Sequence, residues 1–111
     1  MNEILELYKV LGDETRIRII NLVYLQNLCV CELVEILELS QPKISKHIAK
    51  LRQIKLLHSE RNEQYVYYSF NKSNESFASI ISNTLEVLKD SDVLISDLNK
   101  LNNVESFVCS R

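Results

Sequence analysis

The chain has 111 residues, 46% hydrophobic and 25% charged, with a formal net charge of −2, the composition of one ordinary globular domain. A chain this short supports one core and leaves little room for a catalytic cleft beside it. One glycine and one proline exclude a glycine-rich phosphate loop and argue against an all-β sandwich, which needs turn residues at regular short intervals. A mainly α protein is expected.

Residues 3–11 read as a helix, with Ile4, Leu7, Tyr8 and Leu11 on one face. Gly12 is expected to end it, and Asp13 to cap a second helix carrying Ile17, Ile20, Leu22, Val23, Tyr24 and Leu25. Glu14 falls in that helix's first turn, the favourable end of the dipole for an acid. A short helix over 30–38 buries Leu33, Ile36 and Leu37. Leu39-Ser40-Gln41-Pro42 then breaks the chain, with Ser40 or Gln41 as a cap and a proline tolerated in the first turn that follows.

The helix it opens is expected over 41–56, with Ile44, Ile48, Leu51 and Ile54 as a one-sided apolar stripe. Beyond Leu57 the period changes to two. Residues 58–61, a polar turn at 62–63 and residues 64–70 read as a small hairpin, its return strand rich in tyrosine. Helical period resumes over 75–101, with Asp90-Ser91-Asp92 as a candidate break. No linker, repeat or low-complexity tract divides the chain, so 1–111 is read as one domain.

The overall charge hides an asymmetry. Between Gln41 and Arg61 lie Lys43, Lys46, Lys50, Arg52, Lys55 and Arg61 against Glu60 alone, a local charge of +5 in a chain whose remainder carries −7. Such an island is either a solvated helix face or a face built for a polyanion. The order of elements favours the second. A short helix, a tight turn, a longer helix with a basic polar face and then a hairpin is the layout of a winged helix-turn-helix. Its second helix enters the major groove of double-stranded DNA. Gln41, Ser45 and His47 suit base edges there, and Lys43, Lys46 and Lys50 suit phosphates. Arg61 and Gln64 lie near the hairpin tip, within reach of the backbone or minor groove. The apolar stripes of the first and last helices, about 3–11 and 75–101, exceed what one small domain buries. They predict a homodimer, which would pair with a palindromic operator.

Met1-Asn2-Glu3-Ile4 carries an acid where a secretory signal carries base, and no long apolar run follows, so a cytoplasmic protein without membrane association is expected. Three cysteines cannot close a disulfide framework. In a reducing compartment the close pair Cys29-Val30-Cys31 points instead to metal or redox chemistry, the bland alternative being two small buried hydrophobes. At ~100° per residue, side chains two apart on a regular helix diverge by about 200°. Convergence on one ion is therefore expected to cost helical structure in the element that supports the reading helix.

Leu11-Gly12-Asp13-Glu14-Thr15-Arg16, Leu28-Cys29-Val30-Cys31-Glu32-Leu33, Ser40-Gln41-Pro42-Lys43-Ile44-Ser45-Lys46-His47-Ile48 and Tyr67-Tyr68-Ser69-Phe70 together resemble the ArsR/SmtB family of metal-responsive repressors, in particular its arsenic-responsive branch. The resemblance covers about residues 5–70. It implies a homodimeric winged-helix repressor of an arsenic-resistance operon, released from DNA when arsenite or antimonite, the inducer rather than a permanent cofactor, binds the Cys29 and Cys31 thiolates. It also implies dimerisation through the first and last helices. One departure stands out: the third cysteine of the arsenic-responsive pattern falls at Val34. Cys109, from either subunit, or a small cellular thiol is then the candidate third ligand.

Within the same family, cadmium or lead sensors use the same cysteine pair but add cysteines from a longer N-terminal arm, and the residues before Leu5 hold none. A zinc site on the last helix would need histidine there, and His47 and His58 lie elsewhere. A thiol redox or persulfide sensor would join Cys29 or Cys31 to Cys109. No Ser–His–Asp arrangement or base-activated cysteine marks an enzyme, and none is expected.

Overall fold

The computed structural model describes residues 1–104. In chain order these form α1 (Asn2–Leu11), α2 (Glu14–Val23), β1 (Leu28–Cys29), α3 (Val30–Leu37), α4 (Gln41–Gln53), β2 (Leu57–Asn62), β3 (Tyr65–Phe70), α5 (Glu75–Val87) and α6 (Asp92–Val104). The three strands make one antiparallel sheet in the order β1-β3-β2.

Local chemistry accounts for most of the boundaries. Asp13 stands in extended backbone, and its carboxylate accepts the Arg16 N–H at 3.2 Å, capping α2. Gly12, at φ −77°, uses none of glycine's special freedom, so α1 ends because Asp13 is extended. Asn74 caps α5 in the same way, accepting from the Phe77 N–H at 3.1 Å. Ser40 is the N-cap of α4, but its hydroxyl makes no capping bond. The Ser40 carbonyl accepts from Ile44 at 3.1 Å, and Pro42 occupies the first turn, where a missing N–H costs nothing.

Several expectations are adjusted by packing. In α1, Leu7 and Val10 are buried while Tyr8, expected on the inner stripe, is 56% exposed. Leu25 lies beyond the end of α2 and is exposed. α4 stops at Gln53 rather than near 56, because Lys55 takes a left-handed conformation (φ 62°) that turns the chain into β2. Asn71 secures that corner, its side-chain amide donating to the Lys55 carbonyl at 2.9 Å. The hairpin turn is Glu63–Gln64, one residue later than expected, since Asn62 pairs with Tyr65.

The core joins Leu7, Ile20, Leu33, Ile44, Leu51 and Ile81 from five helices. Across it, Arg18 of α2 grips Asp97 of α6 through two parallel bonds, Nε to Oδ2 at 2.9 Å and Nη2 to Oδ1 at 2.8 Å. Asp97 is only 1% exposed. Lys100 of α6 pairs with Glu38, the left-handed residue that closes α3. α6 is thus strapped to both α2 and α3.

Candidate nucleic-acid interface and thiol pair

α4 turns Ile44, Ile48 and Leu51 into the core, which leaves Gln41, Lys43, Ser45, Lys46 and Lys50 exposed on its outer face. These five candidate DNA-binding residues therefore share one helix and are open to solvent. His47, the sixth candidate on α4, is half-buried. Its Nδ1 lies 3.3 Å from Nη1 of Arg16, whose Nε donates to the Val10 carbonyl at 2.6 Å. Burial, reinforced by the charges of Arg16, Lys46 and Lys43 and opposed by Asp13, holds the His47 imidazole below its usual pKa of 6.5. Asp13, in the same cluster, titrates below the usual carboxylate value. Burial alone pushes it up, but the Arg16 N–H and the charges of His47 and Arg16 outweigh that.

The wing carries the remaining two candidates. Arg61 lies opposite Val66 on β2 and is exposed, and Gln64 is the exposed second residue of the turn. Arg52, at the far end of α4, lies with its guanidinium 6.0 Å from the centre of the Tyr68 ring, tying helix to wing.

The thiol pair corrects an expectation. Cys29 is the last residue of β1, paired with Tyr67, and also the N-cap of α3, in extended backbone at φ −91° and ψ 168°. Cys31 is the second residue of the helix. The divergence expected of a regular helix therefore does not apply, and the two Sγ atoms lie 2.8 Å apart with α3 intact. Convergence costs no helical structure because the sheet already holds Cys29 outside the helix. Two features that the sequence pattern does not reveal make this possible. One is β1, whose two residues are too short for a periodic signal. The other is Glu32, 0% exposed, whose Oε1 accepts the Cys29 backbone N–H at 3.0 Å in a capping-box arrangement. The spacing of Cys29 and Glu32 matches a capping box, but a thiol is an unusual first member, so the signal is easily passed over.

Cys29 is buried and Cys31 half-buried, and both line an open groove of about 620 Å³ together with Val34, Gln41, Gln64 and Tyr68. The groove thus brings the thiols beside the first residue of α4 and the turn of the wing. Val34, where the arsenic-responsive pattern has its third cysteine, forms part of the wall. Cys109 lies outside the described residues, and among those described no group of three His, Cys, Asp or Glu side chains is placed to hold a metal ion. The chemistry that fits is two soft sulfur donors, with any further ligand coming from elsewhere. Among the described residues no helix is long and apolar enough to cross a membrane.

Residues 13–59 match the model of the bacterial regulatory protein, arsR family. Over 72 residues the chain is 50% identical to the arsenic resistance transcriptional regulator ArsR1 of Pseudomonas putida, covering 61% of this chain and 56% of that protein. Over 78 residues it is 41% identical to the arsenical resistance operon repressor of Escherichia coli, covering 69% of this chain and 67% of that one. The chain thus spans little more than half the length of the first relative. Among solved structures, HlyU from Vibrio cholerae superposes with a TM-score of 0.72 at 30% identity, over 80% of this chain and 95% of that one. With its winged helix-turn-helix order, its basic second helix and these matches, the chain belongs to the arsR family of bacterial regulatory proteins, a family of regulators rather than enzymes.

Proposed function

We propose that the protein is a DNA-binding repressor of an arsenic-resistance operon, released from its operator when a trivalent metalloid, arsenite or antimonite, binds Cys29 and Cys31. The observation that carries this reading is the sulfur pair, 2.8 Å apart, opening on a groove shared with Gln41 of the reading helix and Gln64 of the wing. Each thiol would replace one hydroxyl of the metalloid, its proton leaving with that hydroxyl as water. Thiolate bonds of about 2.3 Å, as at a zinc centre, hold two sulfurs about 3.8 Å apart at near-tetrahedral angles. Loading the site therefore ties the last residue of β1 to the first turn of α3, which packs against α4. Metalloid and DNA then favour different arrangements of one helix pair, as release requires.

A homodimer through the first and last helices completes the reading. Leu5 and Tyr8 on α1, Val87 on α5, and Val93 and Ile95 on α6 are exposed apolar residues with no role in the subunit's own core. A two-fold dimer places two α4 helices on the half-sites of a palindrome, where Gln41, Ser45 and His47 meet bases, Lys43, Lys46 and Lys50 meet phosphates, and Arg61 and Gln64 reach the backbone or the minor groove. Cys109 of either subunit or a small cellular thiol supplies the third sulfur.

The test is fluorescence anisotropy of a labelled duplex from the protein's own upstream region, at fixed salt under reducing conditions, because phosphate contacts make affinity salt-dependent. Binding that arsenite weakens and cadmium leaves alone, with the response lost in the Cys29→Ser/Cys31→Ser variant, is the expected result. An unchanged arsenite response in that variant would overturn the site. A stronger response to cadmium or to peroxide would replace the inducer.

A further inference from the structure

Arg16 occupies a place that DNA binding by α4 alone does not explain. Its Nε donates to the Val10 carbonyl, one of the last-turn carbonyls of α1 that have no partner within their own helix. Asp13, whose carboxylate accepts the Arg16 backbone N–H, fixes the same residue from the other side. The guanidinium is therefore anchored before it meets His47, and its Nη1 stands 3.3 Å from His47 Nδ1.

A guanidinium donates hydrogen bonds and accepts none, so Nδ1 is the acceptor. A neutral imidazole that accepts at Nδ1 carries its proton at Nε2. On α4, Lys43 and Lys50 lie one turn before and one turn after His47, both exposed.

We propose that Arg16 is a positioning residue for DNA recognition: anchored on Val10, it fixes His47 in the Nε2–H form, so that the reading helix presents a hydrogen-bond donor to an acceptor atom of the operator. The inference rests on the reading of α4 as the DNA-contacting helix. A donor at this point suits the N7 or O6 of a purine, the O4 of thymine or a phosphate oxygen, and is mismatched to the N4 amino group of cytosine. Lysine cannot replace Arg16, since one ammonium does not reproduce the fork that spans the Val10 carbonyl and the imidazole. Glutamine can replace His47 in part, because its side-chain amide offers a donor without needing a partner to set its tautomer.

Two measurements on the full chain test this together. Long-range 1H–15N spectra report the tautomer of His47 directly: the wild type is expected to show the Nε2–H form, and Arg16→Lys a mixture. Anisotropy on the upstream duplex then reads the consequence. Arg16→Lys is expected to weaken binding about tenfold, because the released imidazole loses its fixed orientation as well as its single tautomer, and with them one good hydrogen bond. It should have almost no further effect in a His47→Ala or His47→Gln background, and His47→Gln alone should stay within about threefold of wild type. Should Arg16→Lys prove too unstable to assay, the His47→Gln and His47→Ala pair still decides, because loss of binding by both equally removes the donor role. An Nδ1–H form in the wild type, or an equal loss from Arg16→Lys whatever stands at 47, overturns the inference. A wild type that binds no duplex while showing the Nε2–H form fails the repressor reading instead, and the DNA role of Arg16 with it. A series of singly changed operators separates the two acceptor sources. Loss of discrimination at one base pair in His47→Ala marks a base edge, and a uniform loss marks a phosphate.

Discussion

The two helices of the helix-turn-helix begin in opposite ways. α3 starts inside the protein: its N-cap is paired into the sheet, its third residue is a buried glutamate bonded back to that cap, and its far end is held by Lys100. α4 starts in solvent, with no side-chain cap, and displays Gln41, Lys43, Ser45 and Lys46. One helix is held by its surroundings and the other offers its side chains to a partner. Substitutions in the held half should therefore cost stability, while those on the displayed half should cost DNA affinity and leave stability alone.

The sharpest way to break this contrast is at the strap between α2 and α6. Arg18→Met leaves the Asp97 carboxylate buried without its partner and is expected to destabilise the fold by about 3 kcal/mol. Urea denaturation followed by circular dichroism measures it, and a loss below about 1 kcal/mol would mean that α6 is not strapped as described. Next comes Glu32→Ala, which removes the acceptor of the Cys29 N–H and opens a gap in the core. A loss of about 2 kcal/mol is expected. Glu32→Gln, which keeps an acceptor oxygen, should lose much less.

A smaller effect joins the two halves through pH. His47 is held below its usual pKa, so between its folded value and 6.5 the unfolded chain binds more protons than the folded one. Its contribution to stability is thus complete above pH 6.5 and is lost as the pH falls through that window. The groups facing it are Asp13, Arg16, Lys43 and Lys46, and Asp13 titrates well below this range. Thermal melts from about pH 7.5 to about 5.5 should show the fall in wild type and a flatter profile in His47→Gln. Smallest for stability is Lys46→Ala, on the exposed face of α4, with a change expected within about 0.5 kcal/mol. Its effect belongs to DNA binding, where the slope of log affinity against log salt should drop by about one for each phosphate that Lys46 neutralises. A large stability loss there would erase the distinction between held and displayed.

Much of this contrast was legible in the sequence. The 3.6-residue stripe of Ile44, Ile48 and Leu51 declared α4 and, by complement, its basic face, because an amphipathic helix is written in near neighbours. Asp13 announced the start of α2 for the same reason, since a cap acts over three residues. Where the pattern misleads, the deciding contact is distant or the element too short. Tyr8 and Leu25 carry the right apolar character, but the packing of other elements leaves both exposed. β1 has only two residues, and what makes it a strand is β3, nearly forty positions away.

The same division runs through the candidate site. The identity of its donors, two thiols and a set of basic and amide side chains, follows from residue types and spacing alone. Whether those thiols can meet does not. A regular helix would hold them apart, and the strand pairing of Cys29 with Tyr67 sets it in extended backbone, where they converge. The tautomer of His47 depends on Arg16, 31 residues away in sequence, and the setting of α6 depends on Arg18 and Asp97, separated by 79. Periodicity and capping act within a helical turn, so the chain states them itself. Hydrogen bonds between distant segments exist only once hydrophobic burial has brought the helices together, and those contacts decide how the site is built.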